Sequence, residues 1–216
     1  MLRLLVVDLL AEREAFGKKG VEEIIRHFPE HEILLWAPHT NEPKKYPFGT
    51  RIDKPKNADA IIITGSRRNV SMWEPWMDEV AEVIRNCTVP LYGICFGHQI
   101  ICKALGGKVV RAEESSSFVA EVTYLDGGKT RQLFTHQDHV IDPGEMEVLA
   151  SADHCEIVAC IHPTRPIRTV QFHPEAVESV LDYSVFCGDM TQEERVAFGD
   201  GKQDLDVTES LINPEF

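Results

Sequence analysis

Cys95 sits in the stretch Pro90-Leu-Tyr-Gly-Ile-Cys-Phe-Gly-His-Gln99, and His173, 78 residues later, sits in Gln171-Phe-His-Pro-Glu175. A thiol, an imidazole and a carboxylate in this pattern suit nucleophilic acyl chemistry. A thiol attacks poorly until it loses its proton. His173 can accept that proton, and Glu175 can hold the imidazole in the tautomer required. Gly93-x-Cys95-x-Gly97 is the cysteine form of the nucleophile elbow, a tight turn from strand to helix that lifts the nucleophile clear of a sheet. Small flanking residues are needed because the turn is strained and closely packed. The sulfur then lies at the positive end of a helix dipole. Alternate residues of a strand share a face, so His173 and Glu175 can point the same way. Pro174 fits a strand end, where no ladder hydrogen bond is required of it. Singly, Cys95 reads as a packed thiol and His173 as a satisfied histidine. Together with the elbow they read as a triad.

The surrounding elements place these residues. Leu2 to Leu10 is a continuous apolar run, as in a strand covered on both faces. From Gly20, Val21, Ile24, Ile25 and Phe28 give a helical stripe. Glu32 to Trp36 and Ala60 to Thr64 read as further strands, with an irregular Pro- and Lys-rich connection from Pro38 to Lys56 between them. Trp76, Met77, Val80, Ala81 and Ile84 form a second stripe. Val89 to Ile94 is the strand that delivers Cys95, and the helix Gly97 to Leu105 stops at Gly106-Gly107. After Val109 the pattern changes to strands: Phe118 to Tyr124, Arg131 to Thr135, Val148 to Ala150, Ile157 to Ile161 and Arg168 to Phe172. Turn signals at Asp126-Gly127-Gly128 and Asp142-Pro143-Gly144 separate them. The fold class is α/β: an open sheet with a parallel core and helices on both faces, plus a smaller hairpin-rich β section.

The 216 residues suit one substantial domain. We place it at 1–188, followed by an acidic C-terminal tail at 189–216. That tail holds eight acidic and two basic residues, nearly half of the net charge of −13. Within it, Thr191-x-x-Glu194 has the form of a capping box opening a short helix. The charge argues against a nucleic-acid scaffold, which needs a basic face. Apolar runs are too short for a membrane span, and Met1 to Asp8 reads as a buried strand rather than a leader. The six cysteines lack disulfide-framework spacing, so a reducing cytoplasm is expected.

Gly93-Ile-Cys-Phe-Gly-His-Gln99 and Gln171-Phe-His-Pro-Glu175 resemble the two signatures of class I glutamine amidotransferases, in particular their stand-alone, GMP-synthase-like branch. Gly65-Ser66 after a buried strand, with Pro75-Trp76 beyond, is similar too. The resemblance runs from about Leu2 to Ser184. It implies hydrolysis of L-glutamine to glutamate and ammonia, with Cys95 forming a glutamyl thioester, His173 protonating ammonia and then activating water, and Glu175 orienting His173. It implies an oxyanion hole from the backbone N–H groups of Gly65 and Phe96. It implies that Gln99 holds substrate, and that Gln137 and Asp138 grip its α-amino and α-carboxylate groups. Asp138 reads equally as a loop turn residue. No cofactor and no metal are implied. Where many relatives carry Gly-Gly-Pro, this chain has Gly65-Ser66-Arg67-Arg68. The two arginines read as solvated loop charges, or as contacts for an acidic partner or phosphorylated acceptor.

Other constellations carry less. His136-x-x-His139 and Cys155-x4-Cys160 lack the paired spacing of a structural zinc site. The first is expected in a substrate loop and the second in core strands. Trp73 and Trp76 are expected to pack. No phosphate-cradling glycine motif is present, so the acceptor chemistry belongs to a separate synthetase. Two further functions fit the same residues: a γ-glutamyl amide or peptide hydrolase, and a non-catalytic amidotransferase-like binding module.

Overall fold

The computed structural model of the chain describes residues 1–198 and Val207. Ten strands form one sheet in the order β3-β2-β1-β4-β5-β10-β9-β8-β6-β7. The first half consists of β1 (Leu2–Val7), β2 (His31–Trp36), β3 (Thr50–Ile52), β4 (Ala60–Ile63), β5 (Leu91–Ile94) and β10 (Ile167–Val170). Every pairing within it is parallel. The second half, β6 (Lys108–Tyr124), β7 (Lys129–Asp142), β8 (Glu147–Ala152) and β9 (Cys155–Ile161), is antiparallel and joins the first where β9 pairs with β10. The hairpin-rich section is thus a continuation of the same sheet.

Short runs of β-branched residues make the parallel half because both their faces are covered. Along β1, Leu5 and Val7 enter one apolar cluster while Leu4 and Val6 enter another. In the first cluster lie Met77, Val80 and Ile84 of α2 (Pro75–Asn86) with Ile100 and Ile101 of α3 (Phe96–Ala104). In the second lie Val21 and Ile24 of α1 (Phe16–Ile25). Helices therefore cover both faces, as the alternation of strand side chains requires.

Four local features depart from the sequence reading. Helix α1 begins at Phe16, ahead of Gly20, with Ala15 in the N-cap position and no side-chain cap. The usual start signals are missing there. Strand β3 lies inside the stretch read as irregular. It is three residues long and is tied down by Arg51, whose guanidinium lies 2.8 Å from the fully buried Asp8 carboxylate. Strands β6 and β7 are 17 and 14 residues long. Register breaks near Val109 and between Arg111 and Ser116 obscure their period. Helix α4 (Glu178–Phe186) has no counterpart in the sequence reading; it inserts only Val180, Leu181 and Ser184 into the interior.

The capping box does open a helix, α5 (Gln192–Ala197). Thr191 Oγ1 accepts the Glu194 N–H at 3.1 Å, and Glu194 Oε2 accepts the Thr191 N–H at 2.7 Å. The first ten residues of the acidic segment pack on the domain. Asp189 accepts the Ala15 N–H at 2.8 Å, and Phe198 is buried with Leu133, Ala176 and Leu181. Residues 199–206 and 208–216 of that segment lie outside the described residues. Among the described residues no helix is long and apolar enough to cross a membrane.

Candidate active site

Three neighbouring strands, β4, β5 and β10, end on the same edge of the sheet, and their C-terminal extensions build the site. Open α/β sheets bind ligands at this edge. Cys95 follows β5 directly and its φ is +52°, the only positive φ of a non-glycine residue among those described. A side chain held there is strained, and such strain persists only where packing enforces it. The enforcement is visible. The Cys95 N–H donates to Val170 O at 2.8 Å, which ties the elbow to β10. A Cβ on Gly97 would lie 2.3 Å from Ile63 O, and one on Gly93 would lie 2.6 Å from Ile101 Cδ1. Only glycine lets α3 start this close to β4 and β5.

His173 follows β10. Its backbone N–H donates to Leu133 O at 2.9 Å and its carbonyl accepts from Ala176. Its Nδ1 lies 2.8 Å from Glu175 Oε1. With Nδ1 donating to the carboxylate, Nε2 is left for the thiol. All three groups are buried, at 4%, 3% and 2% exposure for Cys95, His173 and Glu175. Burial alone would push the imidazole down. The Cys95 sulfur and the Glu175 carboxylate outweigh it by charge and hydrogen bonding, and hold His173 well above its ordinary value. An imidazole raised above its ordinary value beside Cys95 and Glu175 is suited to donate a proton to a leaving amine. Phe16 meets the His173 ring edge-on at 5.9 Å between centroids and shields it.

Gly65 follows β4 and lies beside the two reacting groups. A Cβ there would be 2.9 Å from His173 Cε1 and 3.7 Å from Cys95 Cβ. Phe96 is the first residue of α3, so its N–H has no intrahelical acceptor. Gly65 and Phe96 thus each adjoin Cys95, one across from β4 and one in sequence.

The three expected substrate contacts also make hydrogen bonds within the fold. Gln99 is buried, and its amide donates to Asp138 O at 2.9 Å and Gln171 Oε1 at 3.1 Å. The Asp138 carboxylate accepts the Ser71 N–H and O–H, each at 2.7 Å. The Gln137 amide donates to Ala112 O at 3.0 Å. Together these bonds fix β7 across the site, where Thr135 O lies 3.6 Å from Cys95 Sγ. Sequence reasoning misses the rest of the cavity wall. Arg13, Phe16, Ser117, Met190 and Phe198 line it along with Ser66, Arg67, Thr135 and His173. The first five carry no motif and come from separate stretches of the chain. Arg67 has a signal in the sequence only as a departure from Gly-Gly-Pro.

His136 is buried, with Nδ1 3.0 Å from Asp138 O and Nε2 3.4 Å from His154 Nε2, and burial lowers it to about 3. One cluster among the described residues has a metal-like donor set: His98, Cys102 and Cys160, all fully buried. Its members are hydrogen-bonded to one another and to their neighbours. His98 Nδ1 meets Thr169 Oγ1 at 2.8 Å, Nε2 meets Ile157 O at 3.2 Å, and the two thiols interact with each other. Cys155 and Cys160 are core strand residues. Trp76 stacks on Phe96 at 5.7 Å, behind the elbow.

A cysteine elbow beside a His–Glu pair at the carboxyl edge of a parallel sheet defines a cysteine-dependent acyl-transfer site. The pattern of the glutamine amidotransferase class-I family matches residues 29–190. The chain belongs to that family. It is 40% identical over 155 residues to a glutamine-hydrolyzing GMP synthase subunit from Methanococcus aeolicus, covering 63% of this chain and 78% of the relative. It is 37% identical over 114 residues to the corresponding GMP synthase subunit from Methanothermobacter thermautotrophicus, covering 49% of this chain and 61% of that one. A glutamine amidotransferase structure from Thermotoga maritima shares the fold, with a TM-score of 0.73 at 15% identity over 93% of this chain and 90% of the other.

Proposed function

We propose that this chain is the glutaminase subunit of a two-subunit GMP synthase, releasing ammonia from L-glutamine for a separate synthetase subunit. The observation that carries the reading is the buried Cys95–His173–Glu175 constellation, with the thiol on a strained elbow and the imidazole raised above its ordinary value. The relatives that bear the name of a GMP synthase subunit support the choice of partner.

Cys95 Sγ attacks the side-chain amide carbon of glutamine, and the N–H groups of Gly65 and Phe96 stabilise the oxyanion that forms. His173 delivers its proton to the departing nitrogen, the C–N bond breaks, and ammonia leaves a glutamyl thioester. His173, now neutral, takes a proton from water. Hydroxide adds to the thioester carbon, the C–S bond breaks, and glutamate departs. Glu175 holds the ring in register throughout. Gln99, Gln137 and Asp138 act as positioning residues that hold β7 in place. Domain 1–188 carries this chemistry, and all six cysteines are unpaired, which suits the cytoplasm.

The test combines the chain with the synthetase subunit of the same organism and measures GMP formed from glutamine or from ammonium. Cys95→Ala is expected to abolish glutamine-dependent synthesis and leave ammonium-dependent synthesis intact. Undiminished synthesis from glutamine by that variant contradicts the reading.

A further inference from the structure

Beneath α3 the fold encloses a second group of ligating side chains. His98 and Cys102 are four residues apart on α3, a spacing that puts both on one face of a helix. Cys160 comes from β9, where it stands directly opposite Thr169 of β10. The group therefore lies where the parallel and antiparallel halves of the sheet join. All three side chains are fully buried, and their donor atoms lie within 4.8 Å of one another. A tetrahedral zinc ion, bonded at about 2.3 Å to sulfur and about 2.0–2.1 Å to nitrogen, needs donors about 3.5–3.8 Å apart. The donors are thus within about 1 Å of that spacing.

The surroundings suit a metal. His98 Nε2 lies 3.2 Å from Ile157 O. A carbonyl only accepts, so Nε2 carries the proton and Nδ1 keeps its lone pair. Metal-bound histidines are commonly oriented in this way by a backbone carbonyl. Burial lowers His98 to about 4, so the ring is neutral near pH 7. Thr169 Oγ1 stands 2.8 Å from Nδ1 and also hydrogen-bonds Cys102. It is a fourth polar group at the same point. The Cys160 hydrogen bond and burial hold the Cys102 thiol well above its ordinary value, so both metal-free thiols keep their protons. Ile100, Ile101, Leu105 and Ile157 belong to the same apolar cluster and keep the group dry. Imidazole and thiolate donors select soft ions such as zinc. Two thiolates cancel the charge of a divalent ion, so the loaded group is neutral, as an apolar interior demands.

The geometry points to a structural zinc site formed by His98 Nδ1, Cys102 Sγ and Cys160 Sγ, with Thr169 Oγ1 in the fourth position. Zn²⁺ displaces one proton from each thiol, forms two Zn–S bonds and accepts the Nδ1 lone pair, and the two protons pass to solvent. The ion ties α3, whose N-cap is Cys95, to β9 and β10. It supports the elbow and takes no part in the reaction at Cys95. None of the ligands is exposed, so the metal enters as the chain folds.

The test unfolds the full chain in guanidinium with a phosphine reductant, refolds it with zinc chloride or with EDTA, and desalts it. Elemental analysis is expected to find one zinc per chain after the first treatment. The zinc form should melt about 5–10 °C above the EDTA form. X-ray absorption at the zinc edge should show two sulfur neighbours at about 2.3 Å, with nitrogen and oxygen at about 2.0–2.2 Å. Cys102→Ala combined with Cys160→Ala should abolish retention, although Cys87, Cys95, Cys155 and Cys187 remain. Thr169→Val leaves the other three ligands in place and should weaken zinc about 10- to 100-fold in competition with a chelator. The zinc-edge spectrum is read on the wild-type chain, so it decides the matter even where the double variant fails to fold. No zinc retained by the wild-type chain, a shell of nitrogen and oxygen alone, or equal zinc in the double variant overturns the inference.

Discussion

Gly65 lies against the His173 ring so closely that a Cβ at position 65 would stand 2.9 Å from His173 Cε1. Real Cβ atoms do not approach that closely, so Gly65→Ala must displace the imidazole or the loop. Both outcomes disturb the N–H of residue 65 and the proton path to Cys95. Glutaminase kcat is expected to fall by about 10²–10³, the usual cost of losing an oxyanion donor. Steady-state kinetics checks this, with urea unfolding as the control for global damage. Unchanged kcat would remove Gly65 from the site.

Gly97→Ala tests the elbow as packing rather than chemistry. The new methyl would lie 2.3 Å from Ile63 O, against backbone that cannot swing aside. Overpacking of this kind costs about 1–3 kcal/mol or more. A shift of at least that size in the urea midpoint is expected. Wild-type stability in the variant would show that α3 does not start where described.

Glu175 is one of the two groups that raise His173. Glu175→Gln removes its charge, so the imidazole should titrate at lower pH, which NMR of the ring protons reads directly. Folding raises His173 above its unfolded value of about 6.5. Its contribution to stability is therefore whole below that pH and is lost as pH rises through the folded value. In Glu175→Gln that contribution should be smaller, and its loss complete at lower pH. An identical titration in both proteins would mean that Glu175 does not orient the ring.

His98 and His136 act with the opposite sign. Burial lowers them to about 4 and about 3. Between pH 6.5 and 5 the unfolded chain takes up protons that the folded chain refuses, so stability falls with pH there. Each group is worth about 2 kcal/mol over that window. Denaturant titrations at several pH values should show this fall. His98→Gln should flatten its slope, and an unchanged slope would show that His98 does not enter the folded state neutral.

Much of this was legible because the chemistry and its scaffold share signals. Gly93-x-Cys95-x-Gly97 encodes both a nucleophile and a turn whose strain only glycine neighbours permit. The His-Pro-Glu run follows β10 but lies in a turn closed by the Ala176 N–H on His173 O, so the turn, and not the expected strand alternation, brings His173 and Glu175 together. The apolar runs of β1, β4 and β5 have no polar alternation to mislead. What was missed has no local code. Helix α1 lacks a capping residue, β3 is three residues of edge strand, and the bulge around Arg111 to Ser116 breaks the period of β6. The cavity wall is harder still. Arg13, Arg67 and Asp189 converge only because β1, β4 and α4 end near one another, and no spacing in the chain records that. Gln99 and Asp138 carry hydrogen bonds that tie α3, β7 and Ser71 together, beside the substrate role that the resemblance implies, and no motif records those bonds.

The account depends most on Cys95 being the atom that carries the glutamyl group. Mixing the chain with glutamine, quenching in acid within the first turnover and measuring intact mass tests this directly. The expected result is one added glutamyl group, mapped to Cys95 by proteolysis, and no adduct on Cys95→Ala. Glutamate release by Cys95→Ala at the wild-type rate, or an adduct on another residue, would contradict it.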